Sequence, residues 1–221
     1  MSDHWTRLVE QPDLWNAPLR PSPEDVDHIR KQLLPDSRTL LLGVTSELQP
    51  FATIAVDNNI KAVQANPKIA VFSDWADLPF ESEFDAVIGD GCLNVFQGTP
   101  ESFFKQMKKV LKKPGKLILR IFISPEERED LEMVLKTKEL VSFDSFQLRV
   151  TNAMANPYVS VKDRYHAIKR VSDHPNLEFY QDSSLIYYHP KLSELPAWDT
   201  IQFSSSYNLA EVCPIITWTF S

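Results

Sequence analysis

A chain of 221 residues, 43% hydrophobic and 24% charged, can bury one sizeable core but is short for two full domains, and this composition excludes wholesale disorder. Its net charge of -7 disfavours general binding to phosphate backbones. No apolar run approaches the ~20 residues that span a bilayer.

The two cysteines, Cys92 and Cys213, provide neither a disulfide framework nor a zinc-ligand spacing. Together with a start that lacks a charged leader and apolar run, they set the expectation of a reducing, cytoplasmic setting, with no metal, no membrane and no nucleic acid. The one basic cluster (Lys105, Lys108, Lys109, Lys112, Lys113 and Lys116) has helical spacing and reads as a solvated face running into a helix C-terminus.

Taken in order, residues 1–20 carry Trp5 and Trp15 and read as an arm lying on the main body. Ser22-Pro23-Glu24-Asp25 opens a helix, with a capping serine, proline at the first helical position and an acid three residues after the cap. Short apolar runs follow at Thr39–Leu42, Thr53–Val56, Ile69–Phe72, Ala86–Ile88 and Lys116–Ile123. Such runs, bounded by glycine or polar residues, are what strands buried on both faces look like. Helical patterns fall between them at Asn59–Ala65 and from Thr99-Pro100-Glu101, with Pro114-Gly115 as the expected stop. Another opens at Ser124-Pro125-Glu126-Glu127 and reaches about Lys138. Residues 143–172 read as mostly helical, broken at Asn156-Pro157, and Thr200–Tyr207 with Ile215–Phe220 alternate as an antiparallel hairpin. The expected fold is α/β: a Rossmann-like, doubly wound, mostly parallel sheet with an antiparallel C-terminal hairpin and helices on both faces. One domain is expected, divided into an arm and helix (1–36), a core (37–123), a helical segment (124–199) and the hairpin (200–221).

In open parallel sheets, ligands bind beyond the carboxyl ends of the strands. Here Gly43, Asp57, Asp74 and Asp90 close successive strands. Three carboxylates on one rim repel each other unless a ligand with donors or positive charge lies among them. With these residues and Val110-Leu111-Lys112-Lys113-Pro114-Gly115-Lys116-Leu117, the stretch 38–123 resembles the class I S-adenosylmethionine-dependent methyltransferases. The resemblance implies S-adenosylmethionine as cofactor. It implies that Asp57, beside Asn58, accepts hydrogen bonds from the ribose hydroxyls. Asp74 would meet the adenine amino group and Trp75 cover its ring, while Asp90 and Gly91 flank the methionine part. The family's first motif has an acid and three alternating glycines; Leu41, Gly43, Thr45 and Glu47 stand at those positions, so only the first glycine is kept. The link from Gly43 to Thr53 leaves room for a helix of a turn or two. Arg20 is a candidate partner for the cofactor's carboxylate, as is Arg120, for which a structural ion pair is the competing reading.

The resemblance also implies methyl transfer; with the acidic charge, a small-molecule acceptor is the first expectation, and a protein acceptor is open. Asp90 and His166, with its neighbour Tyr165, are candidate general bases, and Asn94 a candidate for orienting the acceptor. Tyr158, Tyr165, Tyr187, Tyr188 and Trp198 are candidates for an acceptor pocket, or for plain packing. No D/N-P-P-Y-like segment follows the fourth strand, so nothing supports methylation of nucleic-acid bases. The alternatives are a non-catalytic relative that binds a ligand or protein on the same rim, and a Rossmann oxidoreductase. Against the latter, Gly43-Val44-Thr45-Ser46-Glu47-Leu48 lacks the G-x-G-x-x-G that a pyrophosphate needs and carries an acid where phosphates would lie.

Overall fold

The computed structural model describes residues 15–221; Trp5 and the first part of the expected arm lie outside them. Strands β1 (Thr39–Leu42), β2 (Ile54–Asp57), β3 (Ala70–Phe72), β4 (Phe84–Asp90) and β5 (Leu111–Arg120) run parallel. They are joined by β9 (Ile215–Phe220), antiparallel to β5, and β8 (Thr200–Gln202), antiparallel to β9. The order across the sheet is β3-β2-β1-β4-β5-β9-β8. The order reverses between β1 and β4, which places a ligand-binding crevice at their carboxyl ends.

Period-two alternation sorts the strand residues into two cores. Leu41, Ile88, Ile118 and Ile215 face Ile29 of α1 (Pro23–Gln32). Leu40, Leu42, Val87, Leu117, Leu119 and Ile216 face Phe103, Met107 and Val110 of α4 (Pro100–Val110). Between these helices lie α2 (Ile60–Ala65) and the single turn α3 (Cys92–Val95). The start of α1 is a capping box: Ser22 Oγ accepts from the Asp25 N–H and the Asp25 carboxylate accepts from the Ser22 N–H.

Several boundaries differ from the sequence reading, each for a visible reason. Helix α4 stops at Val110, where the Leu111 N–H bonds Met107 O and the chain turns directly into β5; Pro114-Gly115 fall within β5, beside its register shift, and do not end the helix. Ser124 caps nothing: its N–H bonds Pro190 O and its Oγ donates to His189 O. The next helix, α5 (Leu131–Lys136), starts later, capped by Asp130. The link from β1 to β2 holds only a 3-10 turn at Gln49–Phe51.

After α5, helices α6 (Phe143–Met154) and α7 (Val161–Lys169) share a separate core of Val134, Phe146, Val150, Tyr165, Ile168 and Leu177. A second, two-stranded sheet, β6 (Tyr158–Ser160) with β7 (Ile186–Tyr188), carries this helical segment. That hairpin joins residues far apart in sequence, and strands this short leave no period to read. Among the described residues no helix is long and apolar enough to cross a membrane. Within the basic cluster, Lys109 bonds Leu78 O, Lys112 pairs with Asp85 and Lys116 bonds Gln32 O.

Candidate functional site

The rim at the carboxyl ends of β1, β2 and β4 is built from Gly43, Asp57, Trp75 and Asp90. Gly43 has φ +81°, which an L side chain rarely adopts. A methyl group built on it would stand 3.7 Å from Cζ2 of Trp75 and 3.9 Å from Oδ2 of Asp57. One small space is therefore bounded by bare backbone, a carboxylate oxygen and an indole ring. Trp75 is held there by its Nε1–H, which donates to Val56 O at 2.9 Å. The other carboxylate oxygen of Asp57 accepts from the Asn59 N–H at 2.7 Å. Burial pushes the Asp57 carboxyl up to about 6, only partly offset by that bond.

The remaining rim residues divide. Asp74 is exposed, and its Oδ1 accepts from the Ala76 N–H within its own turn. Asn58 is exposed, while the half-buried Thr45 opens the 3-10 turn through its carbonyl, which accepts from Leu48 and Gln49. Arg20 forks onto Glu47: Nε donates to Oε1 at 2.8 Å and Nη2 to Oε2 at 2.6 Å, with Nη2 also 2.8 Å from Ser46 Oγ. Burial pushes the Glu47 carboxyl up, but Arg20, its own backbone N–H and Ser46 together outweigh it and hold it below the usual range. The clamp therefore stands where the family's second and third glycines would be, and Arg20 is spent on it.

Asp90 and Arg120 form a buried ion pair, with Nε 3.0 Å from Oδ1. Both terminal nitrogens of Arg120 donate to Pro18 O at 2.9 and 2.7 Å, and Asp25 lies 3.8 Å away. Arg120 is thus a structural cation that ties the arm to the sheet; it is not a cofactor anchor. Burial raises Asp90 to about 6 against the pull of this guanidinium. Gly91, with φ +63°, lets the Phe122 ring approach to 3.1 Å of where its Cβ would be.

Two candidate catalytic residues are placed elsewhere by the structure. Asn94 is buried with all its polar atoms engaged: Nδ2 donates to Phe122 O and Tyr188 O, both at 2.7 Å, and Oδ1 accepts from the Phe122 N–H. It fastens the helical segment to the sheet, which leaves it nothing with which to orient an acceptor. His166 is exposed on α7, whose contacts are with α6, β6 and the Pro175–Tyr180 turn. It does not reach the rim. Tyr165 is buried in the helical core, Tyr158 is exposed, and Trp198 packs against the main core.

Sequence reasoning missed the layer between rim and helical segment. Phe122 stacks on His189 at 6.0 Å between ring centroids, and His189 Nδ1 lies 3.0 Å from Asn152 Oδ1. Burial and the nearby Arg164 push His189 down to about 3, so it is neutral. No local pattern marks these residues, because the fold alone brings them together. Beside the rim, Trp15, Asn16, Ala17, Arg20, Ser46 and Glu47 line an open cleft of about 710 Å³.

A sheet of this order, with antiparallel last strands and an acid closing β2 beside a positive-φ glycine, defines the class I methyltransferase fold. Residues 44–119 match the family model described as "Methyltransferase domain". No curated protein matches the chain significantly. Among solved structures it is similar to a SAM-dependent methyltransferase from Thermotoga maritima, at 17% identity and TM-score 0.53 over the whole of both chains. It is also similar to the 1,6-didemethyltoxoflavin-N1-methyltransferase of Burkholderia thailandensis (12% identity, TM-score 0.56, 99% of this chain and 86% of that one). A Rhodobacter sphaeroides chain described as a Zn-dependent alcohol dehydrogenase matches at 14% identity and TM-score 0.63, over 99% and 97%. At such identities the likeness is one of fold. Among the described residues no group of three His, Cys, Asp or Glu is placed to hold a metal ion.

Proposed function

We propose that this protein transfers a methyl group from S-adenosylmethionine to a small molecule, with Asp57 as the principal cofactor contact. The observation that carries this reading is the space at Gly43, bounded by Asp57 Oδ2 and the Trp75 ring. The donor set fits the cofactor. A carboxylate accepts from both hydroxyls of a diol, a bare glycine backbone admits a sugar closely, and an indole offers an apolar wall. When bound, the cofactor supplies a methyl group already activated on a sulfonium.

The residues of the chain have three tasks. Asp57 holds the ribose and Trp75 shields it. Asp90, held by Arg120, shapes the rim on the sulfonium side as one half of a buried ion pair. The helical segment 124–199 covers the acceptor and keeps water out. Alignment of donor and acceptor in such a site supplies ~7–11 kcal/mol of the barrier reduction, so a strong general base is not required. Asp74, Asn58, Thr45 and Gly91 belong to this site as wall and backbone contacts. The buried, free thiols of Cys92 and Cys213 suit a cytoplasmic setting. The Burkholderia relative, by its name, methylates a small molecule, which supports a small-molecule acceptor here.

One observation favours a second reading, a non-catalytic binding module on the same rim. The Arg20–Glu47 clamp fills the place of the lost glycines. Substitution separates the two. Asp57→Ala removes hydrogen bonds to a charged acceptor worth ~1.5–3 kcal/mol each. Calorimetry is expected to show tenfold or greater weakening of S-adenosylmethionine binding by this variant in folded form. Unchanged affinity would remove Asp57 from the site.

A further inference from the structure

Arg164, on α7, is 3% exposed. Its guanidinium lies over the ring of Tyr180 at 4.6 Å and that of Tyr187 at 5.4 Å. Nη1 reaches Thr151 Oγ1 on α6 at 3.3 Å, a long bond to a neutral group. Nε and Nη2 are buried and have no hydrogen-bond partner, and among the described residues no carboxylate lies within ion-pair distance of Arg164. This sets it apart from Arg120, equally buried, which has a carbonyl, a carboxylate and a second acid around it. A charge withdrawn from water without a counter-charge carries a large desolvation penalty. A fold keeps such a group only where something compensates it.

The shape of the unpaired edge says what fits. Nε–H and Nη2–H lie side by side on one edge of the planar guanidinium and point the same way, so they match the two oxygens of an oxyanion in a bidentate pair. The surroundings are aromatic: Tyr180 and Tyr187 face the cation, and Tyr187 leads on to His189 (6.4 Å between centroids) and from there to Phe122 beside Gly91. One turn before Thr151 on α6, Gln147 keeps a buried Oε1 that also lacks a partner, an acceptor waiting for a donor. Tyr180 links this layer to the open cleft, because its hydroxyl accepts from Trp15 Nε1 at 3.1 Å and Trp15 lines the cleft.

We infer that Arg164 anchors an oxyanion of the methyl acceptor, a carboxylate on an aromatic or otherwise flat body, held between the helical segment and the strand ends. The acceptor role rests on the methyltransferase reading above; the anion site itself does not. A ligand with a carboxylate for Arg164 and an N–H or O–H for Gln147 Oε1 would satisfy both orphaned groups.

The test uses the full chain, with benzoate, its neutral counterpart benzamide, and inorganic phosphate as probes, in wild type, Arg164→Gln and Arg164→Met. In the wild type we expect benzoate to raise the melting temperature saturably and benzamide not to. Arg164→Gln should weaken benzoate binding about tenfold or more, as loss of a charge-assisted bidentate pair does. Phosphate outcompeting benzoate would assign the site to a phosphorylated acceptor in place of a carboxylate. Without ligand, Arg164→Met should melt at or above the wild-type temperature, because it removes an uncompensated charge; a marked fall would make Arg164 a structural residue and overturn the inference. So would the absence of saturable stabilisation by any anion. S-adenosylhomocysteine titration separates the two claims. Undiminished affinity in Arg164→Gln is expected, and a tenfold loss would reassign Arg164 to the cofactor's own carboxylate. Failure of the wild type to bind S-adenosylhomocysteine while still binding benzoate would sink the methyltransferase reading and leave the anion site standing.

Discussion

At the scale of single residues, the rim is governed by how each carboxylate is compensated. Asp90 has a guanidinium 3.0 Å away, Glu47 has the Arg20 fork, and Asp74 faces water. Asp57 has one backbone N–H and a half-buried position, and it is the acid left with capacity for a ligand. Its raised pKa, about 6, gives opposite signs for folding and for binding. The native state holds this proton more tightly than the unfolded chain does. The stability it contributes is therefore present below the ordinary aspartate range and lost as pH rises through about 6. In the proposed site, ribose binding needs the carboxylate. S-adenosylhomocysteine affinity should thus rise from about pH 5 to about pH 7.5, with its midpoint near the carboxyl's raised pKa, while Asp57→Asn binds weakly at a level independent of pH. A slope that survives in Asp57→Asn would transfer the titration to Asp90, whose pKa is raised to a similar value.

At the scale of elements, the sheet and its first covering helices were legible because their signals are local. Ser22-Pro23-Glu24-Asp25 is a helix start in any context, and the apolar runs of β1 to β4 need no partner to be recognised. Element ends were less so. Ser124-Pro125-Glu126-Glu127 has the composition of a cap, but Ser124 is claimed by His189 O and Pro190 O from a distant segment. Tertiary hydrogen bonds override a local preference of this size. The same holds for the site. Gly43 and Asp57 could be named because they close strands, and Trp75 through the family resemblance, whereas Arg164, Gln147 and His189 meet only through the packing of α6, α7 and the β6–β7 hairpin. Asn94 and His166 show the converse: suitable chemistry in the sequence, with the geometry of a brace in one case and of a surface residue in the other. The best-supported element outside the sheet is α4, whose Phe103 is fully buried against Phe96 and Phe104. Truncation to alanine at such a site costs ~3–5 kcal/mol. Urea unfolding of Phe103→Ala should show a loss in that range with an unchanged slope, and a loss below about 1 kcal/mol would mean that α4 is not packed as described.

At the scale of the molecule, two layers meet over one rim. The sheet brings Gly43, Asp57 and Asp90 to its carboxyl edge. The helical segment, pinned by Asn94 and by the Phe122–His189 stack, lies across that edge with a buried cation of its own. The arm closes the arrangement, through Pro18 on Arg120 and Trp15 on Tyr180. In the proposed function the sheet holds the methyl donor and the helical layer holds what receives the methyl. The loss of two of the family's three glycines is the feature that most directly challenges it, since the Arg20–Glu47 clamp occupies their place. Calorimetric titration of the full chain with S-adenosylhomocysteine tests this point. The account predicts one site per chain with micromolar affinity, a normal strength for such a ligand at ~8 kcal/mol. No heat of binding up to millimolar ligand, from folded protein shown by mass spectrometry to carry no bound cofactor, would contradict it.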